Sequence, residues 1–129
     1  MELKAPPSRV WQVVTSLDGF GALTGFKATG GAGSLKRIGD AVPAQVWEDR
    51  GRLVVTGIVE GRELRVAWEP DKGHYLCQKR IVLTPSAGGT TLDYLDRYTD
   101  DQPNADETAK QAAAETDKGI EAFRKLVEN

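Results

Sequence analysis

The chain has 129 residues, with 17 Lys and Arg against 19 Asp and Glu and a formal net charge of −2, a balance that excludes a general affinity for nucleic acid or anionic membrane. Its 40% hydrophobic and 28% charged residues exclude a disordered chain and fit a single globular domain over residues 1–129, large enough to bury roughly two-thirds of its unfolded surface. One cysteine, Cys77, and one histidine, His74, exclude an internal disulfide and a zinc cluster, and no metal or other cofactor is expected.

No run is long and apolar enough to span a bilayer, and Met1-Glu2-Leu3-Lys4 lacks the apolar core of a signal peptide. A cytoplasmic protein is expected. Met1 to Lys4 reads as a short strand. Pro6 and Pro7 suit a first helical turn, where a missing N–H costs nothing. Val10, Trp11, Val13, Val14 and Leu17 then form an apolar stripe at helical spacing. Asp18-Gly19 ends that helix, and Phe20 to Leu23 forms a second short one. Gly25, Gly30, Gly31 and Gly33 loosen the next stretch of chain, with a brief strand at Phe26 to Thr29.

From about residue 38 to 99 the pattern alternates with period two. Four turn signals divide it: Glu48-Asp49-Arg50-Gly51, Glu60-Gly61-Arg62, Pro70-Asp71-Lys72-Gly73 and Ser86-Ala87-Gly88-Gly89. Strands are predicted near 40–48, 52–60, 63–69, 74–84 and 90–99, joined as an antiparallel meander. Pairing Glu48 with Gly51, Val59 with Leu64, Trp68 with Tyr75 and Leu83 with Leu92 collects one apolar face. That face holds Val42, Ala44, Val46, Leu53, Val55, Gly57, Val59, Leu64, Val66, Trp68, Tyr75, Cys77, Lys79, Ile81, Leu83, Leu92, Tyr94, Asp96 and Tyr98. Gln45, Trp47, Arg65, Gln78, Arg80 and Arg97 fall on the other. A slip of one residue at any turn would mix the faces.

The last segment, from Pro103 and Asn104 to Glu128, is helical, with Asp106 and Glu107 favouring its N-terminal dipole. It is about 25 residues long, or roughly 38 Å. Its inward stripe reads Ala105, Ala109, Ala112, Ala113, Thr116, Gly119, Ile120, Phe123, Leu126 and Val127. The first half is small and the second bulky. The small half cannot fill a concave sheet, so along it either the helix backbone lies very close to the sheet or a void remains.

Four stretches carry a family resemblance: Ala5-Pro6-Pro7-Ser8-Arg9-Val10-Trp11 entering the first helix, Gly39-Asp40 opening a strand, Gly88-Gly89-Thr90-Thr91-Leu92 after a hairpin turn, and the amphipathic tail. With the order of elements, they resemble the START-like or SRPBCC superfamily over essentially the whole chain. The resemblance implies an α+β helix-grip fold: a curved antiparallel sheet of about six to seven strands around a long C-terminal helix, with two short helices after the first strand. It implies a ligand held between the concave face and that helix, as in polyketide cyclase and dehydrase-like proteins. Family members usually have a long first strand, whereas Leu3 stands almost at the start of this sequence, so either the edge strand is short or the true start lies upstream.

The expected function is binding of a small hydrophobic or aromatic molecule in that cavity. Trp11, Val55, Trp68, Tyr75, Lys79, Tyr94, Asp96, Tyr98, Ala112 and Thr116 are the expected binding residues. Lys79 and Asp96 face each other in the last hairpin, either as a polar anchor inside the cavity or as a solvated pair at its mouth. Two other readings stay open. One is a cyclase or dehydratase with Asp96 as acid or base. The other is a chaperone-regulator-like protein that uses its outer surface and edge strand. Trp47, facing outward, either packs under a short helix or marks a contact with another chain, so a homodimer is possible. His74 is expected at the surface and Cys77 in the core.

Overall fold

A computed structural model describes residues 1–30, 34–73, 75–100 and 105–128, with side chains described in the final helix at 110 and 118–128. His74, Gly31, Gly33, Pro103 and Asn104, and the side chains of Ala112 and Thr116, lie outside the described residues. The chain is α+β: β1 (Glu2–Leu3), α1 (Pro7–Val14), α2 (Leu17–Thr24), β2 (Lys27–Ala28), β3 (Ala41–Val46), β4 (Asp49–Val59), β5 (Glu63–Pro70), β6 (Tyr75–Ser86), β7 (Gly89–Asp100) and α3 (Ala105–Glu128). The seven strands form one curved antiparallel sheet in the order β1-β7-β6-β5-β4-β3-β2. Both edge strands are two residues long, and each pairs with only two residues of the strand beside it.

The two short helices meet at a tight corner. Pro7 stands in the first turn of α1, which buries Val10, Trp11, Val13 and Val14. The Ser16 hydroxyl accepts from the Gly19 amide and starts α2 before the Asp18-Gly19 pair expected to stop α1. Gly19 thus lies inside α2, where a Cβ would sit 1.8 Å from the Val13 carbonyl oxygen. Gly25, at φ +83°, ends α2.

The meander keeps the expected strands and changes three of the four pairings. Leu83 faces Leu92, and Lys79 faces Asp96, as predicted. The first hairpin turns earlier, at Trp47-Glu48, with Val46 paired to Asp49. Trp68 pairs with Cys77 rather than Tyr75. Both displacements are even in register, so each side chain keeps its face. The third change alters the faces. A bulge at Thr56 shifts the β4–β5 register between Val55 and Gly57. Beyond it Gly57 and Val59 leave the inner face, Val59 being half exposed, and Ile58 turns inward against Leu64.

The core lies on the inner face and under the helices, with Trp68, Phe20, Phe123, Leu23 and Leu35 fully buried. The C-terminal half of α3 is clamped to the N-terminal elements. Arg124 Nη1 donates to the Glu2 carbonyl at 2.7 Å, Arg9 Nη2 donates to the Leu126 carbonyl at 3.3 Å, and Glu128 accepts from the Lys4 amide at 2.7 Å. Phe123 and Val127 are buried, whereas Leu126, expected inside, is exposed because it lies on the flank of the stripe. No helix among the described residues is long and apolar enough to cross a membrane.

At Gly119 the close approach of backbones is to α2, not to the sheet as expected for the small-residue stripe. A Cβ there would lie 2.4 Å from the Leu23 carbonyl oxygen and 2.7 Å from that of Ala22. In a free helix Gly119→Ala would gain up to about 1 kcal/mol. Here the methyl collides with backbone that cannot rotate away, and a net loss of about 2 kcal/mol is expected, read as a lower urea midpoint at unchanged slope. An unchanged or higher midpoint would mean that α3 does not dock on α2 at this residue.

Candidate functional site

Alternation along β6 and β7 sends Tyr75, Cys77 and Lys79 inward from one strand and Tyr94, Asp96 and Tyr98 from the other. Lys79 is the charged residue buried on the inner face: its side chain is 4% exposed, and that of Asp96 is 26% exposed. The pair is therefore neither wholly internal nor wholly solvated. The ammonium lies at the floor of a recess and the carboxylate at its lip.

Lys79 Nζ donates to Asp96 Oδ2 at 2.9 Å and to Tyr94 Oη at 3.0 Å. It also stands 5.0 Å from the centre of the Phe26 ring and 5.6 Å from that of Tyr94, within cation–π range. Burial by itself disfavours the charged ammonium, but the Tyr94 oxygen and the Asp96 carboxylate outweigh it and hold the Lys79 pKa above its ordinary value. Burial raises that of the Tyr94 phenol, so Tyr94 stays protonated at neutral pH and Asp96 supplies the negative charge. The third ammonium N–H and Asp96 Oδ1 have no hydrogen-bond partner among the described residues.

A second polar chain crosses the other end of the recess. The Trp68 indole N–H donates to Tyr75 Oη at 3.1 Å, and the Tyr75 hydroxyl donates to Asp49 Oδ2 at 2.5 Å. Burial, and then the bond to Asp49, push the Tyr75 phenol well above its usual range, so it too remains neutral. Tyr98 stacks on Tyr75 with ring centres 5.6 Å apart. Trp68 meets Phe26 at 4.7 Å.

Between these two polar ends lies a pocket of about 130 Å³. Of the expected binding residues it gathers Trp68, Tyr75, Lys79, Asp96 and Tyr98 in its wall, with Tyr94 behind Lys79. It does not gather Val55, which is buried in the core opposite Val66. Nor does it gather Trp11, whose indole donates to Glu60 at 3.1 Å and lines a separate depression with Gln12 and Lys36. Cys77 is buried and reaches the pocket wall. Among the described residues no group of three His, Cys, Asp or Glu side chains is placed to hold a metal ion.

Phe26 and Trp47 add two more rings to the wall, beside Thr24, Gly25 and Val46, and neither ring was expected there. Phe26 follows the Gly25 cap and is 5% exposed, its ring filling part of the concave face. It carried no periodic signal, standing alone beside a glycine-rich stretch. Trp47 stands at the first position of the hairpin turn with φ +52° and is 51% exposed. That region is unfavourable for a bulky side chain, by about 1–2 kcal/mol. An exposed, strained tryptophan at the rim of a pocket is placed to touch what enters it.

Two substitutions probe this wall. Trp47→Gly relieves the strained turn while removing a half-exposed ring, so stability should stay within about 1 kcal/mol of the parent. A buried tryptophan truncated in this way costs about 3–5 kcal/mol, and a loss that large in chemical denaturation would mark Trp47 as structural. Asp96→Ala leaves the ammonium with Tyr94 alone. Because the carboxylate is partly exposed, the loss should be about 2 kcal/mol rather than the 3–5 of a fully buried pair. Lys79→Met with Asp96→Leu should recover most of it.

No family model matches the chain, and no curated protein matches it. Solved structures do. A protein of Chromobacterium violaceum is 18% identical, with a TM-score of 0.75 over 100% of this chain and 94% of its own. An uncharacterized protein from Rhizobium leguminosarum is 16% identical, with a TM-score of 0.79 over 99% of this chain and 90% of its own. DynU16, a protein in the dynemicin biosynthetic locus, is 18% identical, with a TM-score of 0.72 over 100% of this chain and 45% of its own. At these identities the likeness is one of fold.

Proposed function

We propose that this chain is a START-like, or SRPBCC, protein of the helix-grip type that binds a small hydrophobic or aromatic molecule in the pocket between Trp68 and Lys79. The sequence resemblance and the likeness of fold to DynU16 support the superfamily. The observation that carries the binding reading is the recess itself. Five of its eleven lining residues are aromatic, and a few polar groups are fixed at its two ends by hydrogen bonds to one another, which is the usual composition of a small-molecule site. An ordinary core would not set a buried ammonium against the Phe26 ring.

The test is thermal unfolding against a library of apolar and aromatic compounds, with Trp68 emission read in a Trp11→Phe, Trp47→Phe background. A ligand present at a hundredfold excess over its Kd adds about 2.7 kcal/mol, several degrees in Tm, and should quench Trp68. Silence in both signals across the library would overturn the reading.

One observation favours a second reading, an enzyme of the cyclase or dehydratase type: Asp96 stands in the pocket wall and engages Lys79 through one of its two oxygens. Asp96→Asn would then abolish turnover and keep most of the affinity. Turnover that survives this change would remove Asp96 as the acid or base.

A further inference from the structure

The pocket constrains its ligand by size, charge and hydrogen bonding together. Its volume of about 130 Å³ is close to that of an apolar cavity that holds one benzene, about 150 Å³. Rings surround it: Phe26 and Trp68 on one side and Tyr98 stacked on Tyr75 on the other, with Trp47 at the rim. Flat, polarisable walls suit another aromatic ring, through offset or edge-to-face contact.

The polar end is more selective. The ammonium of Lys79 and the carboxylate of Asp96 cancel in charge at 2.9 Å. A further anion entering here would meet Asp96 at the lip and find Lys79 already neutralised. Beyond its bonds to Tyr94 and Asp96 Oδ2 the pair has one more N–H donor on Lys79 and one more acceptor, Oδ1, on Asp96, both on residues of the pocket wall. A hydroxyl group satisfies both, accepting from the ammonium and donating to the carboxylate. An ether satisfies only the donor, a methyl group neither.

We propose that the pocket is a site for a neutral single-ring aromatic molecule bearing a hydroxyl group, the ring held among Phe26, Trp68 and Tyr98 and the hydroxyl seated between Lys79 Nζ and Asp96 Oδ1. This inference rests on the binding function proposed above and narrows it to one ligand class. The other end of the recess is self-satisfied, since Trp68, Tyr75 and Asp49 bond to one another, and it adds bulk and shape rather than a second anchor. The Lys79 ammonium is buried, and leaving its N–H unmatched against an apolar ring is costly, so discrimination between phenol and its non-hydroxylated analogues should be large.

The experiment is isothermal titration calorimetry of the full chain with phenol, anisole, toluene, benzoate and 2-naphthol, with amide chemical shifts to locate the site. Phenol should bind at least tenfold more tightly than anisole or toluene, benzoate more weakly than phenol, and 2-naphthol more weakly on grounds of size. In Lys79→Met with Asp96→Leu, checked for folding by thermal unfolding, the preference for phenol over toluene should vanish while toluene still binds. The Asp96→Asn variant, which keeps an acceptor and the side-chain shape, should retain part of the preference and guards against a misfolded double variant. Equal affinity for phenol and toluene, tighter binding of benzoate, or tighter binding of 2-naphthol would each overturn this inference. If the one-ring compounds fail while longer apolar molecules bind and quench Trp68, the ligand class is wrong and the binding function stands. If no compound of either kind binds, both fall.

Discussion

A charged ammonium buried in the apolar face of a sheet constrains everything near it. Removing such a group from water costs several kcal/mol unless a counter-ion and hydrogen bonds replace the lost hydration. On this sheet one register does that. With Asp96 opposite Lys79, the carboxylate stands 2.9 Å away and Tyr94, one inward position along, adds a second oxygen at 3.0 Å. A slip of one residue would set Leu95 or Arg97 opposite the lysine, and a slip of two would set a tyrosine there. The pair thus acts as a register pin for the longest hairpin of the fold, beyond any net stability it contributes.

From that pin the rest of the recess can be traced outward. Lys79 draws the Phe26 ring, which reaches it because the left-handed Gly25 turns the chain inward at the end of α2. Phe26 packs on Trp68, Trp68 donates to Tyr75, and Tyr75 donates to Asp49, the first residue of β4. The chain of contacts therefore runs from the last hairpin to the first and ends beside the turn that carries Trp47. Four strands and one helix terminus share a single polar and aromatic network, and the pocket is the space that this network encloses.

How much of this was legible in the sequence depends on which physical signals are local. Alternation in β6 and β7, with a two-residue turn at Ala87-Gly88, fixed Lys79 opposite Asp96 without ambiguity. The inner face was legible even where the pairing was displaced, because displacements of an even register keep side chains on their side of the sheet. The bulge at Thr56 was hidden, since Val54-Val55-Thr56-Gly57-Ile58-Val59 is apolar at both parities and offers no mark of an extra residue. The first hairpin was displaced because Glu48-Asp49-Arg50-Gly51 carries the stronger turn chemistry, while the chain turns at Trp47-Glu48 against the preference of tryptophan for φ < 0. Phe26 was missed for want of any period. In the candidate site, then, the residues on long strands were legible and those delivered by a loop and a strained turn were not.

That division bears on what shapes the pocket. The likeness of fold at 16–18% identity shows that this scaffold persists while most side chains change, and a scaffold does not name a function. Its strands supply fixed positions for a polar pair and a tryptophan. The free volume between them is set by what a connecting segment inserts, here Phe26 from the loop after α2 and Trp47 from the β3–β4 turn. Loops change more readily than strands, and a ring placed in the concave face takes up part of the space over it. On this chain the strands thus fix the polar pair in the pocket wall, and the loop and the turn set the volume beside it.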